Sequence, residues 1–187
     1  MTNIAIFASG NGSNCENIIR YFKDSHDINI SLVLCNNPEA KVLQRAQSLG
    51  VPTAYVSRKD FKNEDAVMPI MKEYKVDFIV LAGFLVLIPG YLLKAYDRAI
   101  VNIHPALLPA FKGAHAIQDS FNYGVKVFGI TIHYVSPELD GGKIIAQRAF
   151  DYVEGEDIEE VESRIHALEH VLYPETIEKL LHQEERR

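Results

Sequence analysis

The chain is poor in cysteine, has no long hydrophobic run and concentrates no positive charge. Only Cys15 and Cys35 occur among 187 residues, which excludes a disulfide framework and a four-cysteine metal site. The longest apolar stretch, Phe78 to Ile88, contains Gly83 and falls well short of the roughly 20 residues that cross a bilayer. No basic, apolar, cleavable pattern opens the chain, so the expectation is a cytoplasmic protein with no membrane partner. Lysine and arginine form no stripe of the kind that neutralises a phosphate backbone, so no nucleic-acid partner is expected. The net charge of −6 is unevenly placed: residues 151–187 hold 12 acidic and 4 basic residues, which leaves +2 for residues 1–150. That acidic end reads as the solvated face of a final helix. A small anionic ligand remains compatible with this charge.

What is present is the composition of an ordinary globular domain, 48% hydrophobic and 24% charged, at a single-domain length. Short apolar runs alternate with amphipathic stretches. Asn3–Ala8, Ile30–Leu34, Asp77–Ala82 and Ala99–His104 read as strands apolar on both faces, which a parallel sheet covered by helices requires. Helices are expected near 14–23, 39–49 and 63–75. Gly50, with Pro52 behind it, marks the end of the second, and Pro69 predicts a kink or a late start in the third. After residue 104 the pattern changes. Val127–Val135 alternates, with Phe128, Ile130, Ile132 and Tyr134 on one face and Gly129, Thr131, His133 and Val135 on the other. Leu139-Asp140-Gly141-Gly142 then reads as a turn into a strand over Lys143–Phe150. A helix over about 157–182 closes the chain, bent or interrupted at Pro174. The expected class is α/β: an open, mostly parallel twisted sheet, Rossmann-like, with helices on both faces and an antiparallel element in the C-terminal half. Such sheets bind ligands beyond the carboxyl ends of their strands, where the strand order reverses.

Three groups of residues stand where chemistry is expected. Ser9-Gly10-Asn11-Gly12-Ser13-Asn14 follows the first strand directly. Its glycines permit a tight turn, and Ser13-x-x-Glu16 has the form of a capping box opening a helix. Such a loop aims backbone N–H groups at an anion, although a plain helix cap uses the same residue types. A dinucleotide site fits less well than a monophosphate, because Cys15 takes the place of the third glycine and the second strand ends in Asn36-Asn37 without an acid. The second group is Asn102-Ile103-His104-Pro105, where two residues of one strand project an amide and an imidazole from one face. They can donate to a developing oxyanion, and His104 can pass a proton near neutral pH; a structural histidine at a strand end is the plainer reading. Asp140 is the third. In reach of His104 it would favour the imidazolium, and otherwise it forms only an Asx-turn. His104, His115, His133 and Asp140 lack the tight spacing of metal ligands, so no metal is expected.

Taken together, Gly10-Asn11-Gly12-Ser13-Asn14, Leu81-Ala82-Gly83-Phe84, Asn102-Ile103-His104-Pro105-x-Leu107-Leu108-Pro109, Glu138-Leu139-Asp140-Gly141-Gly142 and Glu169-His170-x-x-Tyr173-Pro174 occur in an order that resembles the phosphoribosylglycinamide formyltransferases. The resemblance spans nearly the whole chain and implies the formyltransferase fold. It also implies a single domain over 1–187, with residues 1–100 binding a ribonucleotide phosphate and residues 101–187 carrying catalysis and folate binding. The implied reaction moves the formyl group of 10-formyltetrahydrofolate, a co-substrate, to the amine of glycinamide ribonucleotide. By the same resemblance Asn102, His104 and Asp140 are catalytic. Gly12, Ser13, Asn14, Cys15, Glu16 and Glu169 are expected at the ribonucleotide. Leu85, Val86, Leu87, Ile88, Asn102, Val135 and Asp140 are expected at the folate, with His115 and Thr131 in support. Val86, Glu64 and His166 depart from the family pattern. The implied protein is a monomer or homodimer. Hydrolysis of 10-formyltetrahydrofolate, or ligand binding without catalysis, are the competing readings.

Overall fold

The structure is a computed structural model that describes residues 1–184. Two compact units divide the chain, Met1–Val101 and the residues from Asn102 onward.

The first unit holds β1 (Thr2–Ala8), α1 (Ser13–Tyr21), β2 (Ile28–Cys35), α2 (Lys41–Ser48), β3 (Thr53–Tyr55), α3 (Glu64–Glu73), β4 (Phe78–Leu81) and α4 (Gly90–Ala95). Its strands run in the order β3-β2-β1-β4, and every pairing is parallel. The last five residues of β1, all of β4 and nearly all of β2 are buried, so neither face of this sheet meets water. That is why these segments read as unbroken apolar runs. The chain builds outward from β1 through β2 to β3, then returns to add β4 on the other side of β1. The strand order therefore reverses between β1 and β4, which puts the loops after those two strands side by side. Ser9 N–H donates to the Gly83 carbonyl at 3.1 Å across them.

β5 (Ile100–His104) runs from the first unit into the second, which continues with α5 (Ala116–Tyr123), β6 (Val127–Tyr134), β7 (Ile144–Asp151) and α6 (Ile158–Glu184). β6 and β7 pair antiparallel with a bulge between Ile132 and His133. The core of this unit includes Phe128, Ile130 and Ile132 of β6 with Val161, Ile165, Tyr173 and Ile177 of α6. Both faces of β6 are buried, so its alternating pattern marks two different cores rather than a core and a solvent face. The expected fold class is observed, with a parallel α/β first unit and an antiparallel element in the second.

Local signals explain where most helices begin and end. At the end of α2, Gly50 N–H reaches the Gln47 carbonyl (3.0 Å) and Val51 N–H the Ala46 carbonyl (3.0 Å). Gly50 has φ +76°, so this is a Schellman closure that needs glycine. Asp157 Oδ1 accepts from Glu160 N–H and Glu160 Oε2 accepts from Asp157 N–H, both at 2.9 Å; the capping box lies here. The one expected at Ser13 and Glu16 does not form. Gly12, at φ +79°, occupies the cap of α1 with no side-chain bond. Glu16 turns to Arg20 and Arg45 instead.

At the prolines, α3 starts at Glu64 with no late start and runs through Pro69, and α6 runs through Pro174 without interruption. Pro69 removes one bond to the carbonyl of Asp65, an exposed residue that water can satisfy. β3, α4 and α5 went unexpected; all three are short.

Asp157→Ala removes the reciprocal cap of α6 and should lower stability by about 1 kcal/mol, read as a reduced urea midpoint at unchanged m-value. An unaltered midpoint would show that the cap contributes nothing in this context.

Candidate functional site

In the first unit, α1 opens directly out of the loop after β1. Its first helical bond is Glu16 N–H to the Gly12 carbonyl at 2.9 Å, so the amides ahead of it point out of the helix end, toward an anion. A Cβ on Gly12 would stand 2.4 Å from Val42 Cγ2, so only glycine fits. Cys15 is fully buried in the first turn, and its thiol is pushed up to about 12 by burial, then by the neighbouring Cys35 and Glu16. It stays a thiol at neutral pH and can offer a ligand only its backbone.

The loop after β4 is pinned to the same place. Ser9 Oγ donates to Asn36 Oδ1 at 2.5 Å and accepts from Leu85 N–H at 2.8 Å. Leu85 and Leu87 are 63% and 70% exposed, while Val86 and Ile88 are half-buried. The next helix begins only at Gly90. An exposed apolar loop of this kind can offer contact to a flat apolar ligand.

In the second unit, Asn102, His104, His133 and Asp140 form one polar cluster. His104 and His133 are 4% and 2% exposed, so their ring atoms need partners. His104 Nε2 lies 2.8 Å from the Phe111 carbonyl. A carbonyl only accepts, so Nε2 carries the proton. The other ring nitrogen, Nδ1, lies 3.5 Å from Asp140 Oδ2. Both nitrogens thus face oxygen atoms of the protein. Asp140 Oδ2 also accepts from Gly113 N–H at 2.8 Å.

His133 is held by different partners. Its Nδ1 lies 2.9 Å from the Tyr134 carbonyl and must donate, while Nε2 accepts from Asn102 Nδ2 at 3.2 Å. That is the neutral tautomer, and burial pushes the His133 pKa down, against the opposing pull of the Tyr134 carbonyl and Asp140. The Asn102 amide is therefore fixed in orientation, with its second N–H available to another oxygen. His133 was the residue least legible as part of the site. Its place beside Thr131 on one face of β6 was the only signal.

A clamp holds the segment that follows His104. Thr131 Oγ1 donates to the Ala106 carbonyl (2.7 Å) and accepts from Leu108 N–H (3.0 Å) and Gln147 Nε2 (2.9 Å). Thr131 is wholly buried, so it positions backbone and does not face a ligand. The Asp140 turn is shaped by close approach: a Cβ on Gly142 would stand 1.6 Å from the Tyr134 carbonyl oxygen.

Other expected residues differ in exposure. His115 is exposed ahead of α5 and Val135 is half-buried after β6. Glu169 is not a solvated charge. It is 4% exposed on α6, and His166 Nδ1 contacts its Oε2 at 3.0 Å, which raises the His166 pKa. Among the described residues no group of three or more His, Cys, Asp or Glu is placed to hold a metal ion, and no helix is long and apolar enough to cross a membrane.

Comparison with known proteins identifies the family. Residues 2–177 match the family model described as formyl transferase. The chain is 44% identical over 186 residues to phosphoribosylglycinamide formyltransferase of Bacillus subtilis (strain 168), covering 97% of this chain and 95% of that one. It is 31% identical to the trifunctional purine biosynthetic protein adenosine-3 of Homo sapiens, covering 94% of this chain but 18% of that protein. Among solved structures it is similar to glycinamide ribonucleotide transformylase 1 from Geobacillus kaustophilus, with a TM-score of 0.91 at 42% identity, covering 97% of this chain and 99% of that one.

Thr131→Val strips the partner from two backbone groups while keeping the shape, and should cost about 1–3 kcal/mol of stability, seen as a lowered denaturation midpoint. A neutral result would show that the clamp is dispensable. A second expectation concerns pH. Because the folded pKa of His133 is depressed below its unfolded value of about 6.5, its contribution to stability is complete above that value. The contribution is lost as pH falls through the folded pKa. NMR of the labelled ring should show the neutral Nδ1–H form at pH 6.5, and a ring half-protonated there would contradict the assignment.

Proposed function

The chain belongs to the formyl transferase family, and from that premise we propose that the Asn102–His104–His133–Asp140 cluster carries formyl transfer from 10-formyltetrahydrofolate to glycinamide ribonucleotide. The enzyme is a phosphoribosylglycinamide formyltransferase of purine biosynthesis. The family uses a formylated tetrahydrofolate and a ribonucleotide amine as small-molecule substrates. The assignment of residues to steps is our reading.

The substrate amine attacks the formyl carbon, so a C–N bond forms and the carbonyl pair moves onto oxygen. Asn102 donates its second amide N–H to that oxygen. His104 donates Nε2–H, exchanging the Phe111 carbonyl for the stronger, charged acceptor. Asp140 faces Nδ1 and holds the ring in orientation for this donation. His133 stays neutral and keeps the Asn102 amide turned with N–H toward the reacting oxygen. Collapse breaks the bond to the folate nitrogen, and the proton released by the amine ends there.

For substrate binding, the first unit's Gly12, Ser13, Asn14 and Cys15 would hold the phosphate through backbone amides at the start of α1. The exposed loop Leu85–Ile88 of the first unit would offer apolar contact and backbone groups to a pterin. In the second unit, Val135 and the Asp140 turn are our candidates for folate contact, and Glu169 would accept from ribose hydroxyls. Every residue in this scheme comes from one chain, so monomer and homodimer both suffice; the same reading places the enzyme in the cytoplasm. The observation that carries the scheme is the gathering of two buried histidines, one amide and one carboxylate into a single polar cluster.

One assay with 10-formyltetrahydrofolate, run with and without glycinamide ribonucleotide, tests the reaction. Tetrahydrofolate should form only when the ribonucleotide is present, matched by formylated product. Formate released without it would identify a hydrolase. In the same assay His104→Ala should lower kcat by at least about 100-fold while ribonucleotide binding persists; near-normal turnover would remove His104 from the mechanism.

A further inference from the structure

We infer that Arg45 is a positioning residue for the glycine loop, setting ribonucleotide affinity from a helix that carries none of the residues expected to bind substrate. The inference rests on reading that loop as the phosphate site. α2 touches three consecutive loop residues. Val42 N–H donates to the Gly10 carbonyl at 3.2 Å. Arg45 Nη2 donates to Asn11 Oδ1 at 3.0 Å. The Val42 side chain occupies the space that a Cβ on Gly12 would need. Asn11 itself is exposed and lies outside any helix or strand, so the Arg45 bond is what restrains its side chain.

Arg45 also acts on charge. Its Nη1 pairs with Glu16 Oε2, and the other carboxylate oxygen accepts from Arg20 Nε at 3.0 Å and Nη2 at 2.8 Å. Hydrogen bonds from Arg45 first, and Arg20 second, hold the Glu16 carboxyl below its ordinary range. Glu16 stands in the first turn of α1, the helix end that would face a phosphate. An uncompensated carboxylate there repels a dianion, whereas two guanidiniums on it leave the cluster net positive. The planar fork of Arg45 bonds Asn11 and Glu16 at once, which a lysine ammonium on one stem does less well. Glu16 thus belongs to the support of the loop, and its side chain is already spent.

The test is steady-state kinetics on the full chain. Arg45→Ala should raise KM for glycinamide ribonucleotide about 10-fold, the scale of one lost charge-assisted hydrogen bond, with kcat and KM for 10-formyltetrahydrofolate within about two-fold. Arg45→Lys should fall between, and it carries the test if the alanine variant does not fold. Asn11→Ala should raise the ribonucleotide KM alone but add little in the Arg45→Ala background. An unchanged ribonucleotide KM, an equal rise for both substrates, or full additivity with Asn11→Ala would overturn the inference. Gly12→Val separates this from the underlying reading. A ribonucleotide KM raised by Gly12→Val but not by Arg45→Ala removes only the role of Arg45. One left unchanged by Gly12→Val removes the phosphate-loop reading itself.

Discussion

Two imidazoles, an amide and a carboxylate buried together persist only if their hydrogen-bonding capacity is spent on one another and on fixed backbone groups. An unpaired polar atom in such a place costs more than a pair contributes. The second unit meets this constraint with backbone: the carbonyls of Phe111 and Tyr134 and the N–H of Gly113 take the outward valences of the cluster. Each of those groups must then be held in place. Thr131 and Gln147 fix the segment after His104, and the absence of a side chain at Gly142 lets the Asp140 turn close on Tyr134.

The same constraint sets the surroundings of the two histidines. His104 lies between the Phe111 carbonyl and Asp140, and His133 between the Tyr134 carbonyl and the Asn102 amide, with Asp140 Oδ1 3.7 Å from its Nε2. Burial pushes the His133 pKa down. In the first unit the problem is simpler. There the fold leaves helix-end amides facing outward and spends α2 on keeping the loop around them in shape.

Much of the architecture was legible. Strands buried on both faces announce themselves as continuous apolar runs, and Gly50 followed by Pro52 closed α2 as the residue types require. Neither Pro69 nor Pro174 breaks its helix, because a proline inside a helix costs one bond and a shift of backbone that surrounding packing can absorb in a 27-residue helix such as α6. Ser13-x-x-Glu16 misled. The capping-box pattern specifies what Glu16 is able to do within its own helix, and says nothing of an arginine that competes for it. Apolarity by itself does not distinguish a packed segment from one exposed in a loop, as Leu85 and Leu87 are.

The sequence by itself determined the order of elements, the glycines that two close approaches and a helix end demand, and the presence of an amide and an imidazole on one strand face, because these depend on neighbours within a few residues. Tertiary structure decided the partners. Arg45 meets Glu16 across 29 residues, His133 meets Asn102 across 31, and Gly113 meets Asp140 across 27. No local pattern encodes such meetings, since they follow from how strands and helices pack and from the need to satisfy whatever polar groups that packing buries. Which partners each histidine meets is therefore a property of the fold, although both residues were visible in the chain from the start.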